Sequence, residues 1–298
     1  MTHIEFYGSK LTADIPSSWE EMTAEQVRHV FRLYDDSIQK EESPLTFSIR
    51  VLYYFMGIKP SRKYIKMTYK QPLEAEKICE NTYTLCEACL GFLFDKEGDD
   101  GNARLSYDSI KNPLPAVRSS KFSPLLTGPA DLLIDLTFGE YRHASAALNT
   151  FFRTHDVADL DECITILYRP RCKKANKAGR TVIPISHSTF SKDVARVASI
   201  PTWQKNLIMM WFAACIKYLQ SGQLEIDGET VDFSQLYSGS LDRQEEFSYN
   251  MNDLLVQLSR DGVIGNMDAV DEEPLMKIFG IMWTNFKESK NHEKQTNQ

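Results

Sequence analysis

The sequence predicts a mainly α-helical fold, built as one or more multi-helix bundles with an N-terminal β-hairpin and a second small β-hairpin in the C-terminal half. Three observations predict it. Apolar residues recur at helical spacing over most of the 298 residues. Gly and Pro number only 14 and 12, fewer than the turns of an all-β protein need. Two short stretches alternate apolar and polar residues around a turn sequence, as hairpins do.

The first half opens with the first hairpin and continues with three helices. Apolar and polar residues alternate over residues 4–15 on either side of a Gly-Ser turn. Thr23 and Gln26 have the spacing of a capping box, in which each side chain accepts a hydrogen bond from the other's backbone N–H, so a helix is predicted to begin there. Two further helices are predicted at 44–57, with proline in the first turn, and at 72–94.

A break in helical periodicity divides the chain. Acidic residues, glycines and prolines are concentrated in residues 96–123, which predicts a linker or long loop. Residues 1–95 would then form an N-terminal subdomain with the first hairpin, and residues 124–287 a C-terminal helical subdomain. A single elongated domain is the alternative. Residues 288–298 are polar and predict a flexible tail.

The second half is predicted to contain the remaining helices and the second hairpin. One-sided apolar patterns indicate helices at 140–154, 157–168, 188–199, 201–220, 242–260 and 269–287. Residues 224–233 alternate around Asp227-Gly228, a dipeptide typical of a tight hairpin turn. The most apolar run, Leu207–Ile216, spans about 15 Å as a helix, half of what a bilayer requires, so it predicts a buried core helix.

The helices at 140–154 and 157–168 are expected to pair as a helical hairpin at the centre of the C-terminal half. Thr137 and Glu140 repeat the capping-box spacing at the start of this pair. Phe151 and Phe152 are adjacent, so they point to diverging faces of their helix. One of these two rings is expected in the core, and the other is expected to mark a protein interface.

Composition and charge restrict the classes of function. The formal net charge is −7 and the isoelectric point is near 5.5, which argues against a dedicated nucleic-acid binder. The N-terminus lacks a basic segment followed by an apolar run, so no secretion signal is predicted. These features favour a protein that stays inside the cell where it is made, without membrane contact.

The sequence contains no recognisable constellation of catalytic or metal-binding residues. Cys86 and Cys89 form a CxxC pair, but a second pair of zinc ligands is missing, so free thiols packed on a helix are the better interpretation. His143, His155 and His187 lie in no recognised catalytic or metal-ligand spacing. We therefore predict no catalytic residues, no metal and no cofactor.

A cluster of basic residues is the strongest anomaly in this acidic chain. Residues 169–180 contain six cations and no acid. The six cations are Arg169, Arg171, Lys173, Lys174, Lys177 and Arg180. One interpretation is contact with an anion, either a phosphate backbone or an acidic partner, and the other is a solvated flexible loop. No aromatic residue is interleaved, so stacking on bases is not expected.

Three short segments resemble a family of phage and prophage proteins of gut anaerobes. They are Ile15-Pro16-Ser17-Ser18-Trp19-Glu20-Glu21-Met22-Thr23, Leu136-Thr137-Phe138-Gly139-Glu140-Tyr141 and Ile166-Leu167-Tyr168-Arg169-Pro170. Proteins of this family are encoded next to tail genes and are similar to tail-assembly or virion-associated factors. The resemblance covers about a third of the chain. It implies a place in a viral gene module and assigns no functional residue.

We therefore expect a non-enzymatic phage or prophage protein that assists tail assembly or contributes to the virion. Its partner would be another phage structural or assembly protein, and it would act in the host cytoplasm or be incorporated in the virion. The alternative is a nucleic-acid-associated accessory protein that makes weak contacts through the loop at 169–180. A hydrolase or metal enzyme is a third class, which the missing ligand pairs disfavour.

Overall fold

The predicted helices and hairpins are present in the structure, a computed structural model that describes residues 1–5, 12–59, 72–95, 104–226, 228–236, 244–260 and 264–296. Eleven helices and four small antiparallel sheets lie within these residues. The mainly α-helical fold class is thereby confirmed. The chain divides into two compact units, Met1–Ser109 and Ile110–Gln298, and the division falls within residues 96–123.

The first unit contains the N-terminal hairpin, three helices and a short strand pair. Their bounds are β1 Thr2–Glu5, β2 Thr12–Ile15, α1 Ala24–Gln39, α2 Pro44–Phe55, α3 Pro72–Leu90, β3 Phe94–Asp95 and β4 Arg104–Leu105. The antiparallel pairing of β1 with β2 confirms the hairpin, and its predicted turn lies outside the described residues. The first capping box is also confirmed, because the Thr23 hydroxyl accepts from the Gln26 N–H and the Gln26 side-chain oxygen accepts from the Thr23 N–H.

An aromatic cluster forms the core of the first unit. Trp19 is 3% exposed, and its ring centroid lies 4.9 Å from that of Tyr107 and 5.9 Å from that of Phe31. Helix α2 begins after Ser43, whose hydroxyl accepts a backbone N–H of the first turn, and it ends before Gly57, which has a left-handed φ of +65°. Both ends match the predicted helix because serine before a helix and glycine after it satisfy the terminal backbone groups.

The second unit contains, among its described residues, eight helices, a three-stranded sheet and the second hairpin. Their bounds are β5 Ala116–Val117, β6 Leu126–Thr127, α4 Phe138–Thr154, α5 Val157–Leu167, β7 Arg169–Pro170, α6 Phe190–Ala198, α7 Thr202–Ser221, β8 Gln223–Ile226, β9 Glu229–Asp232, α8 Phe233–Leu236, α9 Gln244–Arg260, α10 Met267–Asp271 and α11 Leu275–Thr296. The three-stranded sheet is antiparallel, in the order β5-β6-β7. The pairing of β8 with β9 confirms the second hairpin, and Gly228 in its turn has a φ of +81°.

Helix α7 is the buried core helix that the most apolar run predicted. Trp211 and Phe212 are fully buried, and the Trp211 indole N–H donates to the Ile110 carbonyl at 3.1 Å. Lys205, in the first turn, is also buried, and its Nζ lies 2.6 Å from a carboxylate oxygen of Asp161 on α5. Across the described residues, no helix combines the length and apolarity that crossing a bilayer would need.

The helix predicted at 269–287 is two helices. α10 ends at Asp271, and α11 begins after Pro274. Proline has no backbone N–H and its ring collides with the preceding helical turn, so one continuous helix cannot pass through this position. α11 then continues to Thr296, beyond residue 288, from which the sequence predicts a flexible tail.

The corner between α10 and α11 is bonded to the chain that leads into α4. The Phe138 N–H donates to the Glu273 carbonyl at 2.8 Å, and the Leu275 N–H donates to the Leu136 carbonyl at 2.9 Å. These two bonds join segments that are far apart in the sequence. They place the start of α11 beside the start of α4.

Candidate functional site

The basic segment at 169–180 belongs to a β-hairpin rather than to the open loop that the sequence predicts. The Ile183 N–H donates to the Pro170 carbonyl at 2.9 Å, which pairs the returning strand with β7. The turn is closed by Gly179, whose φ is +85°. Glycine is favoured there because this region of φ is strained for other residues. Residues 169–183, the basic hairpin, thus begin in β7 at the edge of the sheet and fold back beside it, with an antiparallel bridge between Arg171 and Val182.

Two of the six cations, Arg169 and Arg180, form the buried base of the basic hairpin. They are 7% and 4% exposed, and both form ion pairs with Glu140 in the first turn of α4. Arg180 also donates to the backbone carbonyls of Thr127, at 2.8 Å, and Leu167. Both guanidinium groups are nearly inaccessible and already paired with oxygens of this protein. We therefore correct the predicted anion contact, which does not include these two residues.

The charges at the base of the hairpin balance one another. Asp135 is the second carboxyl group there, with its Oδ2 4.0 Å from the Arg180 Nε. Burial raises the pKa of Asp135, against the opposing effect of the Ala130 N–H that it accepts. Burial, with the neighbouring Arg169 charge, lowers the pKa of Arg180 to about 10, so its guanidinium stays charged at neutral pH. Two guanidinium groups facing two carboxyl groups satisfy the requirement that buried charges be paired.

The other four cations of the basic hairpin are exposed. Lys177 is held by an acid at the α10–α11 corner, where its Nζ lies 3.0 Å from a Glu273 carboxylate oxygen. The Arg171 Nε donates to a threonine hydroxyl on β6 at 3.2 Å. Within the part of the chain that the structure describes, no carboxylate pairs with Lys173 or Lys174. The cations left for an external anion are therefore Arg171, Lys173 and Lys174.

An apolar cleft opens beside the basic hairpin, between the sheet and α6, with a volume of about 390 Å³. Leu126 and Pro170 are paired across β6 and β7 and line one side together with Ile183. Phe190 and Val197 of α6 line the other side. We call this feature the α6 cleft. Its volume lies in the range of pockets that bind small molecules or large side chains.

Large apolar side chains are exposed around the α6 cleft. Ile183 and Ile185, which line it, are 47% and 40% exposed, and Leu125 is 38% exposed. Phe122 is 94% exposed, in the loop between β5 and β6, and Pro124 of the same loop lines the cleft. Single exposed apolar residues are ordinary, but two exposed isoleucines that line the same cleft are typical of an interaction surface.

The two rings predicted as an interface lie elsewhere, at the end of α4. Phe152 is 38% exposed and Phe151 is half-buried, with the two ring centroids 5.8 Å apart. One ring was expected on the surface and the other in the core. Phe152 is on the surface as expected, but Phe151 is not in the core. An interface role for this pair stays a prediction. The α6 cleft was not predicted, and its one local signal in the sequence is the alternation of branched residues and proline at 182–185.

The CxxC pair lies in the core of the first unit. Cys86 and Cys89 are 5% and 6% exposed. Burial raises the pKa of Cys86 to about 11 and also raises the pKa of Cys89. A buried thiol that stays protonated is a poor nucleophile and a poor metal ligand. Among the described residues, no group of three His, Cys, Asp or Glu side chains is placed to hold a metal ion.

Comparisons with protein-family models, curated proteins and solved structures find no match for this chain. The features that bear on function are the α6 cleft and the basic hairpin, which both lie in the second unit. The basic hairpin contributes Pro170 and Ile183 to the wall of the α6 cleft, and Ile183 and Ile185 are exposed there. Groups of these kinds are suited to binding.

Proposed function

We propose that this chain is a non-enzymatic phage or prophage protein that assists tail assembly or contributes to the virion by binding another structural or assembly protein. The α6 cleft carries the proposal. Ile183 and Ile185 line the cleft and are exposed. A partner that covers them gains about 25 cal/mol per Å² of apolar surface removed from water. The segments that resemble tail-associated phage proteins support the viral setting and, with it, action in the host cytoplasm or the virion.

The polar groups of the α6 cleft favour binding over catalysis. Among the described residues, Asp193 is the one carboxylate that lines the cleft. It accepts from the Arg196 guanidinium at 2.7 Å and from the Thr189 hydroxyl at 3.2 Å. Both of its carboxylate oxygens therefore already accept from side chains of this protein. This arrangement suits a group that shapes a binding surface.

A crosslinking experiment tests the proposal. The chain is co-expressed with the proteins encoded by neighbouring genes, with a photoreactive amino acid in place of Ile185. We expect a crosslink to a tail or assembly protein. The control has the same photoreactive group in place of Lys217, which is exposed on α7 and does not line the cleft. Failure of the Ile185 position to capture such a protein, or equal capture from Lys217, would contradict the proposal.

A pair of matched substitutions gives a second test. Ile185→Asp should abolish co-purification with the captured protein and leave the melting temperature near that of the wild type, since this side chain is 40% exposed. Ile134→Asp is the control, because Ile134 is 53% exposed and does not line the cleft. Loss of co-purification in both variants would indicate a general effect of added charge.

The second candidate function, a nucleic-acid-associated accessory protein, is favoured by one observation. Lys173 and Lys174 are exposed on the basic hairpin and have no carboxylate partner among the described residues. Replacing both with Gln should weaken DNA binding and reduce its salt slope by about 0.9 for each phosphate that the lysines no longer neutralise. Lys177→Gln is the control, because Glu273 already holds that lysine. Tight binding by the wild type at physiological salt would place this candidate first.

A further inference from the structure

Three of the segments that form the α6 cleft are much more basic than the chain as a whole. Residues 118–126 and 169–198 contribute the β5–β6 loop, the basic hairpin and α6, and they contain ten Arg or Lys and a single acid. Four of the ten form ion pairs with carboxylates, namely Arg169, Arg180, Lys177 and Arg196. The other six are Arg118, Lys121, Arg171, Lys173, Lys174 and Lys192.

All six of these cations are exposed. In the described ranges of the chain, none of them pairs with a carboxylate. Lys192 lines the cleft itself. Lys121 is three residues from Pro124, and Arg171 directly follows Pro170, and both prolines line the cleft. An apolar cleft is thus bordered by positive charge in a protein whose net charge is −7.

We propose that the α6 cleft recognises an acidic segment of the partner protein, with one large aliphatic or aromatic side chain in the cleft and flanking carboxylates on the surrounding cations. This inference rests on the proposed function and adds the chemistry of the partner. Opposite charges on two surfaces speed the encounter of the two proteins, and like charges disfavour binding of the wrong partner. The apolar side chain that fills the cleft supplies most of the binding energy, as buried anchors do at other interfaces.

Two other occupants fit these observations less well. A second copy of the chain that docked through the same face would bring the six cations against one another. A nucleic acid would neutralise the cations, but the polar edges of its bases would lose hydrogen bonds with water in a cleft lined by Leu126, Ile183 and Val197. Each of these occupants gives a different result in the binding experiment.

The experiment titrates the full chain into labelled peptides and follows fluorescence polarisation. The first peptide has a central Leu-Phe pair flanked by Glu on both sides, the second has Lys in place of Glu, and the third has Ser in place of Leu and Phe. We expect the first to bind and to weaken as salt shortens the Debye length from about 30 Å at 0.01 M to about 8 Å at 0.15 M. The other two should bind at least about ten-fold more weakly.

Variants of the chain locate the binding. The double variant Lys121→Glu with Lys192→Glu should bind the acidic peptide about ten-fold more weakly, and Ile183→Asp should do the same. Lys217→Glu makes the same change of charge on the exposed face of α7 and should bind like the wild type. The altered side chains are exposed, so melting followed by circular dichroism should confirm that each variant is folded.

Equal binding of the Glu and Lys peptides would overturn the inference. So would a Lys217→Glu variant that weakens binding as much as the double variant Lys121→Glu with Lys192→Glu. A single-stranded oligonucleotide that displaces the acidic peptide and binds more tightly would identify a nucleic-acid site instead. Self-association that is lost in Ile183→Asp would identify a second copy. If the acidic peptide does not bind but the Ile185 crosslink persists, the acidic-segment inference fails and the proposed function stands. If the crosslink is also absent, both fail.

Discussion

Replacing Arg180 with Met should destabilise the second unit, although this arginine belongs to a segment with the composition of an exposed basic loop. Its side chain is 4% exposed, donates to the carbonyls of Thr127 and Leu167, and forms an ion pair with Glu140. Methionine occupies a similar space but has no N–H to donate. The buried Leu167 carbonyl and the partly buried Thr127 carbonyl would lose a donor. Glu140 would keep Arg169 as its remaining guanidinium partner.

The size of the effect follows from these interactions. A buried carbonyl left without a donor costs roughly 1–3 kcal/mol, and two carbonyls lose their donor here. The larger cost of an unpaired buried charge does not apply to Glu140, because Arg169 still pairs with it. We therefore expect the free energy of unfolding to fall by about 3–5 kcal/mol. In a unit of this size, each kcal/mol lowers Tm by about 2–4 °C, which predicts a decrease of roughly 6–20 °C.

Urea denaturation followed by tryptophan fluorescence measures this change, because the buried Trp211 reports on the second unit. Lys174→Met is the control. It removes a cation from the same hairpin, but that lysine is exposed, so the free energy of unfolding should change by less than about 0.5 kcal/mol. Equal stability of Arg180→Met and Lys174→Met would refute the buried base of the hairpin and restore the whole segment as a surface loop.

Three further predictions test other parts of the chain. A Cβ at position 128 would lie 2.4 Å from the buried Tyr168 ring. Gly128→Ala should therefore lower the free energy of unfolding, measured by urea denaturation, by about 1–3 kcal/mol. Gly91→Ala is the control, because a Cβ there meets open space and should leave this free energy nearly unchanged. The half-buried Cys172 should react with a thiol reagent before the buried Cys86, Cys89, Cys163 and Cys215. The denatured chain should give a total of six thiols, and elemental analysis should find no stoichiometric zinc. Burial lowers the pKa of His29 below its ordinary value of 6.5, so the unfolded chain binds a proton at higher pH than the folded chain. The free energy of unfolding should therefore fall as the pH drops through about 6.5 and level off below the pKa of His29 in the folded chain. Urea midpoints at about pH 7.5 and about pH 5 measure this loss, which should be smaller in His29→Gln.

The ends of the helices could be predicted because their signals are local. The Thr137 hydroxyl accepts from the Glu140 N–H, and the Glu140 carboxylate accepts from the Thr137 N–H, as the capping-box spacing indicates. Asp156 caps the next helix by accepting from the Ala158 N–H at 2.9 Å. Each of these bonds spans three residues or fewer, so a short window of sequence contains both partners. The break before α11 also has a local signal in the sequence, Pro274. The apolar pattern continues on both sides of this proline, so one helix was predicted where there are two.

The buried charges and the cleft could not be predicted in the same way, because their partners are distant in the sequence. Arg169 and Glu140 are separated by 29 residues, and no spacing rule joins them. A segment with six cations has the composition of a solvated loop whether or not a carboxylate lies at its base. The α6 cleft is likewise assembled from the β5–β6 loop, the basic hairpin and α6. Its apolar residues are too few in any one segment to produce a periodic pattern.

The bonds between residues 136–138 and 273–275 have a consequence for how the protein is made. At 5–20 residues per second, a ribosome needs roughly 7–27 s to advance from one segment to the other. Tyr141 on α4 is fully buried in the finished unit, with its ring centroid 6.2 Å from that of Phe279 on α11. During that interval the nascent chain carries α4 without this partner. The face of α4 around Tyr141 is therefore open to chaperones and to aggregation until the last helix has been translated.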